Sequence, residues 1–252
     1  MDNFTAAAVK PSAAKRVAIL GATSGLGEAL AKRYAEKGIN VVVTGRRQER
    51  LDALAKTSEH IEAFQWDLSK LDEIPKQVET LTKRYEDLNQ VFIVAGLQRS
   101  SPFDKPGKLD FKDVDLEIQT NLVAPIHLIA AFLPVLEKRS DPVLAVVSSS
   151  LALLPAPRTP VYNATKQLAA AKSPVTLLEL YPPAVKTELH DTNNQPDLPG
   201  VDEYGGMEIS DWLDETWAGL EAGQTDVPVG PAKEQFDAIE RPRRKMMADQ
   251  AK

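Results

Sequence analysis

The sequence predicts an α/β fold, a doubly wound and mostly parallel sheet with helices on both faces. Three observations carry that expectation. Short apolar runs alternate with longer amphipathic patterns along most of the chain. A Gly-rich turn follows directly on the first apolar run. At 252 residues, with 43% hydrophobic and 26% charged residues, the chain can form one domain around one sizeable core.

The elements follow in order. Residues 1–14 read as a disordered tail, and their start lacks the basic segment and apolar stretch of a targeting signal. The run Val17-Ala18-Ile19-Leu20 has the composition of a strand buried on both faces. It runs into Gly21, Gly25 and Gly27, then into an amphipathic stretch from Glu28 to Lys37 that stops at Gly38. Further strands are predicted near 41–44, 61–66, 91–95, 143–148 and 175–180, with a short last one at 227–229. Helical patterns near 25–37, 47–56, 70–86, 112–139 and 162–172 supply the crossovers. Residues 15–232 therefore form a single domain. Residues 185–207, rich in Pro, Asn and Gly, are predicted to be a mobile loop, and 233–252 a partly helical C-terminal tail.

Composition narrows the function classes. A net charge of −6 argues against nucleic acid as the main partner. The absence of cysteine excludes disulfides and thiolate metal sites and agrees with a cytoplasmic location. No uninterrupted apolar stretch approaches the roughly 20 residues that span a bilayer, so no membrane partner is expected. His60, His127 and His190 show no ligand spacing, and no metal is expected. Arg241, Arg243, Arg244 and Lys245 read as the solvated face of a tail helix.

Two motifs carry chemistry. Tyr162 and Lys166, four apart, share a face if helical, so an ammonium would lie beside a phenol. That neighbour is expected to draw the tyrosine down from about 10 toward neutrality, making it a proton donor and acceptor. Ser149 lies thirteen positions before Tyr162, flanked by Ser148 and Ser150, and the spacing selects the middle serine. Near the start, strand, Gly-rich turn (Gly21, Thr23, Ser24, Gly25, Leu26, Gly27) and helix form the first unit of a dinucleotide-binding fold. Such a turn lets backbone approach a pyrophosphate at a helix N-terminus.

With these motifs in place, the chain resembles the short-chain dehydrogenase/reductase family from about Val17 to Gly230, most closely its DltE-like oxidoreductases. The supporting stretches are 117–125 (EIQTNLVAP), 147–152 (VSSSLA), 160–162 (PVY) and 178–187 (LELYPPAVKT). The resemblance implies a Rossmann-type three-layer sandwich and a hydride exchanged between a nicotinamide cofactor and a carbonyl or alcohol. It implies that Tyr162 protonates the substrate oxygen, that Lys166 holds the nicotinamide ribose, that Ser149 bonds the substrate oxygen, and that Asn121 anchors a water linking Lys166 to solvent. Asp67 and Leu68 match the positions beside adenine, and Ala95 and Gly96 the wall behind it. Thr187 matches the residue bonding the carboxamide, and Pro182 and Val185 stand with it among the cofactor positions. The loop 185–207 becomes a lid over the substrate.

Physical argument selects the cofactor. Where NAD-binding folds place an acid, this chain has Thr44-Gly45-Arg46-Arg47, and guanidinium suits a 2′-phosphate. NADP(H) is favoured, with NAD(H) the second choice. Two departures from the family pattern stand out. Leu20 and Val94 replace polar residues, a joint change that suggests a repacked core. Only 167–173 separate Lys166 from the next strand, a shortfall of roughly ten residues; about eleven residues of helix still span a short strand. The helix is expected to run from Tyr162 to Ala171. The family pairs subunits through this helix, so a homodimer is expected to be weak. The shortened helix also raises an alternative function, a catalytically impaired nucleotide-binding or scaffold protein.

Overall fold

The computed structural model describes residues 9–101, 103–104, 107, 109–166, 175–191, 194–195, 201 and 205–250. Seven strands form one sheet: β1 (Arg16–Leu20), β2 (Asn40–Gly45), β3 (Ile61–Gln65), β4 (Leu88–Ile93), β5 (Val143–Val147), β6 (Thr176–Tyr181) and β7 (Asp226–Pro228). The order is β3-β2-β1-β4-β5-β6-β7 and every pairing is parallel. This is the doubly wound α/β sandwich that the alternating runs predict. Leu20 pairs with both Thr44 and Ile93, so the C-terminal ends of β1, β2 and β4 lie side by side where the winding reverses. Ligands of such sheets bind at that crevice.

Strand alternation splits the core in two. Val17 and Ile19 of β1 face α1 (Gly25–Glu36) and α7 (Ile209–Glu221), with Leu30, Tyr34, Trp212 and Trp217. Ala18 and Leu20 face the other layer, where Ile74, Val78 and Leu81 of α3 (Ile74–Arg84) meet Leu128, Phe132 and Leu136. Between α1 and α3 lies α2 (Gln48–Ala55), which caps the β2–β3 edge with Leu51 and Leu54. Leu20 and Val94 both pack among apolar neighbours, in keeping with a repacked core.

The helical pattern near 112–139 is one rod, Phe111–Leu136, made of α4 (Phe111–Ile118), a π turn (Gln119–Val123) and α5 (Ala124–Leu136). Its 26 residues and hydropathy of 1.5 would suffice by length and composition to cross a membrane. It is not an uninterrupted apolar stretch, since Lys112, Asp113, Asp115, Glu117 and Asn121 lie within it. Leu128, Phe132 and Leu136 pack into the sheet core.

Both chain ends are better docked than the sequence suggested. Residues 9–14, read as part of a disordered tail, pack along the start of β4; 1–8 lie outside the described residues. Asn89 Nδ2 donates to the Ala13 carbonyl at 3.1 Å, and Gln90 Nε2 to that of Lys10 at 3.4 Å. Both side chains are buried, and the incoming backbone satisfies them. At the other end, α8 (Ala232–Gln235) continues through a π turn (Phe236–Glu240) into α9 (Arg241–Gln250). Phe236 stacks edge-on with Tyr181 at 5.3 Å, and Arg244 reaches Asp226 and Glu179 at 2.8 and 3.2 Å. This segment belongs to the domain, and its basic cluster is not simply a solvated face. Helix α7, with two tryptophans, has no counterpart among the predicted elements.

The helix carrying Tyr162 is α6 (Pro160–Thr165), opened by a proline at its first position. The expected continuation to Ala171 falls, beyond Lys166, outside the described residues.

Candidate active site

The Gly-rich turn brings bare backbone together between β1 and β4. Gly21 has φ 101°, and a Cβ on it would stand 2.6 Å from the Ala95 nitrogen. A Cβ on Gly27 would stand 2.1 Å from the Gly21 carbonyl oxygen. No side chain caps the N-terminus of α1 at Ser24, so its leading amides are donors for an anion. Beside them, Arg47 donates to Thr23 Oγ1 through Nε and Nη2 at 3.1 and 2.7 Å, and to Ser24 Oγ at 2.9 Å. A cradle of uncapped amides ringed by guanidinium groups fits a nucleotide's phosphates.

Glu188 closes the cradle. Its carboxylate takes hydrogen bonds from Arg47 (2.9 Å) and Arg50, and these hold its pKa down at about 2. Arg46 is exposed at the rim. Asp67 accepts from the backbone and hydroxyl of Ser69, and Leu68 is buried beside it.

At the other end stand β5 and α6. Ser149 Oγ accepts from the Leu151 amide at 3.1 Å, and the Ser149 hydroxyl favours the ionised form of the Tyr162 phenol. Ser148 instead donates to the Lys166 carbonyl, and Ser150 opens a 3-10 turn. Of the three serines, Ser149 is the one whose hydroxyl bears on the ionisation of the phenol. Lys166 Nζ donates to the Val147 carbonyl at 3.0 Å and sits 5.4 Å from the Tyr162 ring centroid. Burial lowers Lys166 to about 8, with Glu117 and Glu179 opposing. Burial pushes the Tyr162 phenol above its ordinary value, the Ser149 hydroxyl opposing and the Glu117 charge adding to the rise. The expected fall of the tyrosine toward neutrality is therefore corrected: the ammonium lies over the ring, and desolvation outweighs it.

Asn121 lies in the π turn, where a wider backbone turn re-aims its side chain. Its Nδ2 donates to the Leu97 carbonyl at 2.7 Å, and its Oδ1 accepts from the Leu97 amide at 2.9 Å. A Cβ on Gly96 would stand 3.2 Å from Lys166 Nζ and 3.3 Å from Asn121 Oδ1, so this glycine leaves room for both.

One cleft of about 900 Å³ joins the two ends. Gly21, Thr23, Ser24, Gly25, Leu26 and Gly27 line it, as do Arg46, Arg47, Asp67, Leu68, Ala95 and Gly96. Ser149, Tyr162, Lys166, Pro182, Val185 and Thr187 complete the positions expected from sequence; Asn121 sits behind Lys166 in a small chamber shared with Glu179. Thus the short span after Lys166 does not displace Tyr162 and Lys166 from the cleft.

The sequence reading missed several lining groups: Arg99, Arg158, Glu188, His190 and Asn194. Burial, and then the Arg158 charge, lower His190 to about 4. It also missed Glu117, fully buried one turn before Asn121, whose i, i+4 spacing was visible in the sequence. The loop 185–207 is closed at its neck, Lys186 N donating to Met207 O at 2.9 Å and Met207 N to Ala184 O at 2.8 Å. Residues 192–193, 196–200 and 202–204 of that loop lie outside the described residues.

Comparisons with known proteins agree with this geometry. A family model described as short chain dehydrogenase matches residues 15–196. The uncharacterized oxidoreductase DltE of Bacillus subtilis (strain 168) is 32% identical over 221 residues, covering 84% of this chain and 86% of that protein. An NADP-dependent 3-hydroxy acid dehydrogenase, YdfG of Salmonella typhi, is 29% identical over 192 residues, covering 76% and 75%. Among solved structures, a short-chain dehydrogenase from Sphingobium yanoikuyae in complex with NADPH superposes with a TM-score of 0.76. It is 25% identical, and the match covers 93% of this chain and 95% of that one.

Proposed function

The chain belongs to the short chain dehydrogenase family, and on that premise we propose that it is an NADP(H)-dependent oxidoreductase acting on a carbonyl or alcohol through Ser149, Tyr162 and Lys166. One observation carries this reading: the Tyr162–Ser149 pair and Lys166 open into the same cleft as the Gly21–Gly27 turn.

Bound nicotinamide supplies or accepts the hydride. The chain's own groups handle the oxygen. Ser149 and Tyr162, which line the same cleft, offer two hydroxyls to one substrate oxygen and stabilise the charge that develops there. In reduction, Tyr162 gives its proton to that oxygen as the carbonyl becomes an alcohol. Burial keeps the phenol protonated at neutral pH, which suits it to start as the acid. Lys166, as ammonium, then stabilises the phenolate left behind and holds the ribose hydroxyls.

The preference for NADP(H) over NAD(H) rests on the end of β2. The strand itself ends on Thr44 and Gly45 with no acid, and Arg46 and Arg47 follow and line the cleft. The Glu188 carboxylate pairs with Arg47 and Arg50, and Arg46 is the guanidinium left for a 2′-phosphate. The NADP dependence of the Salmonella relative and the NADPH in the Sphingobium structure support the same choice. Leu151 and Leu189 add apolar groups to the lining of the cleft, and Gln98, Arg99 and Asn194 add polar ones.

The test is loss of NADPH absorbance with a panel of aldehydes and ketones, beside Tyr162→Phe. The variant should fold, bind NADPH with unchanged affinity and lose nearly all turnover. Substantial residual activity would remove Tyr162 from the acid–base role, and failure of the wild type to bind either nucleotide would end the reading.

A further inference from the structure

Glu117 is the one fully buried carboxylate beside the reacting groups that the mechanism above does not use, among the described residues. It lies on α4 one turn before Asn121, on the face turned toward α6. Its Oε1 accepts from the Arg99 amide at 2.9 Å, while its Oε2 is buried with no hydrogen-bond partner. A buried carboxylate oxygen without a protein partner calls for an explanation, and a catalytic role is one of those that such groups have. The charged groups around it come from three elements. Arg99, on the loop after β4, approaches with its backbone and its guanidinium; Asp113, on α4 itself, pairs with Arg99 Nε at 3.4 Å. From α6 comes Tyr162, whose phenolate it opposes, and from the residue that ends that helix Lys166, whose ammonium it favours.

We infer that Glu117 is a positioning residue of the reaction, a carboxyl whose gain or loss of a proton sets how readily the Tyr162–Lys166 pair holds its own. The inference rests on the oxidoreductase reading. When Tyr162 gives up its proton, an ionised Glu117 faces the phenolate and raises its affinity for a new proton. A neutral Glu117 lifts that bias and lets the phenolate persist as a base for alcohol oxidation. The two groups titrate as a coupled pair, so the carboxyl tunes the phenol without touching the substrate. Burial raises Glu117 to about 7, which places its own proton exchange within the working range.

Glu117→Gln separates charge from structure, because the amide keeps the volume and an oxygen to accept from Arg99. NADPH affinity should be unchanged. The pH profile of kcat/KM should lose one ionisation near neutrality, and the Tyr162 limb should move to lower pH by on the order of one unit. A profile that superimposes on the wild type overturns the inference and leaves Glu117 a structural group. Infrared titration of the NADPH complex gives a readout independent of turnover. Glu179 also titrates near neutrality, so the readout is a difference: wild type and Tyr162→Phe should show a carboxyl band titrating there that Glu117→Gln lacks, and identical spectra of wild type and Glu117→Gln also overturn the inference. If the glutamine variant does not fold, Glu117→Asp replaces it. That variant should keep the ionisation at a shifted position, and an unshifted profile counts against the role. Lack of NADPH binding by the wild type would instead end the oxidoreductase reading; infrared titration of the free protein would then still report on Glu117.

Discussion

Lys166 is charged only below about pH 8, because burial has brought its amine that low. The phenolate left by Tyr162 depends on that charge, so reductive turnover at saturating NADPH should fall as pH rises through about 8. A rate flat to pH 10 would show that Lys166 stays protonated on some other support. At the phosphate end, Arg46→Ala should weaken NADPH binding roughly ten- to hundred-fold and leave NADH nearly unchanged. Equal losses for both nucleotides, measured by fluorescence titration, would exclude a 2′-phosphate contact. Arg47 is a poorer probe, since it already ties Thr23, Ser24 and Glu188 together. Ser149, Tyr162 and Lys166 were legible in the sequence because a strand end and one helical turn fix their spacing. The pKa direction of Tyr162 was not, because it depends on how much water the folded site excludes. Glu188 was hidden for a related reason: its partners, Arg47 and Arg50, lie far from it along the chain.

At the scale of elements, the strands announce themselves as short, mostly apolar runs, and all seven appear near their expected places. What the runs do not contain is the π turn at Gln119–Val123, because a single wider turn leaves the apolar spacing of a helix almost intact. Helix α7 was missed although Ile209, Trp212, Leu213, Trp217 and Leu220 do follow a helical stripe, so its signal was there to be found. The docking of α6 against the π turn and the end of β4 is tight at Gly96. Gly96→Ala should therefore fold but displace the Lys166 amine, with turnover falling by up to ~100-fold for a shift near 1 Å. Circular dichroism would report the fold and steady-state kinetics the loss; unchanged kcat would mean that the amine has room to spare.

The molecule as a whole is closed by a group from its last helix. Arg244 sets its guanidinium against Glu179 of β6, Asp226 of β7 and Glu240, with the Tyr181 hydroxyl at 2.9 Å. Arg244→Ala would strand those carboxylates and should cost about 3 kcal/mol, read as a lower urea midpoint. A change within error would show that water reaches them freely. Stability should also depend on pH. Burial raises Glu179 to about 7 in the folded chain, so the native state binds its proton more tightly than the unfolded state does. Its contribution is full below about 4.5 and is lost as pH rises through about 7. The depressed His190 works the other way, losing stability as pH falls toward about 4. Glu179→Gln should therefore flatten the decline in Tm between about pH 5 and about pH 7 relative to wild type. The strand order has one more consequence, for the timing of biosynthesis. A ribosome delivers Glu179 well before Arg244, so a nascent chain ending after β6 carries an acid near the sheet's growing edge with no counter-charge. A chain cut before Arg241 should therefore be degraded faster by protease than one that carries α9, and equal rates would show that Glu179 needs no counter-charge to settle.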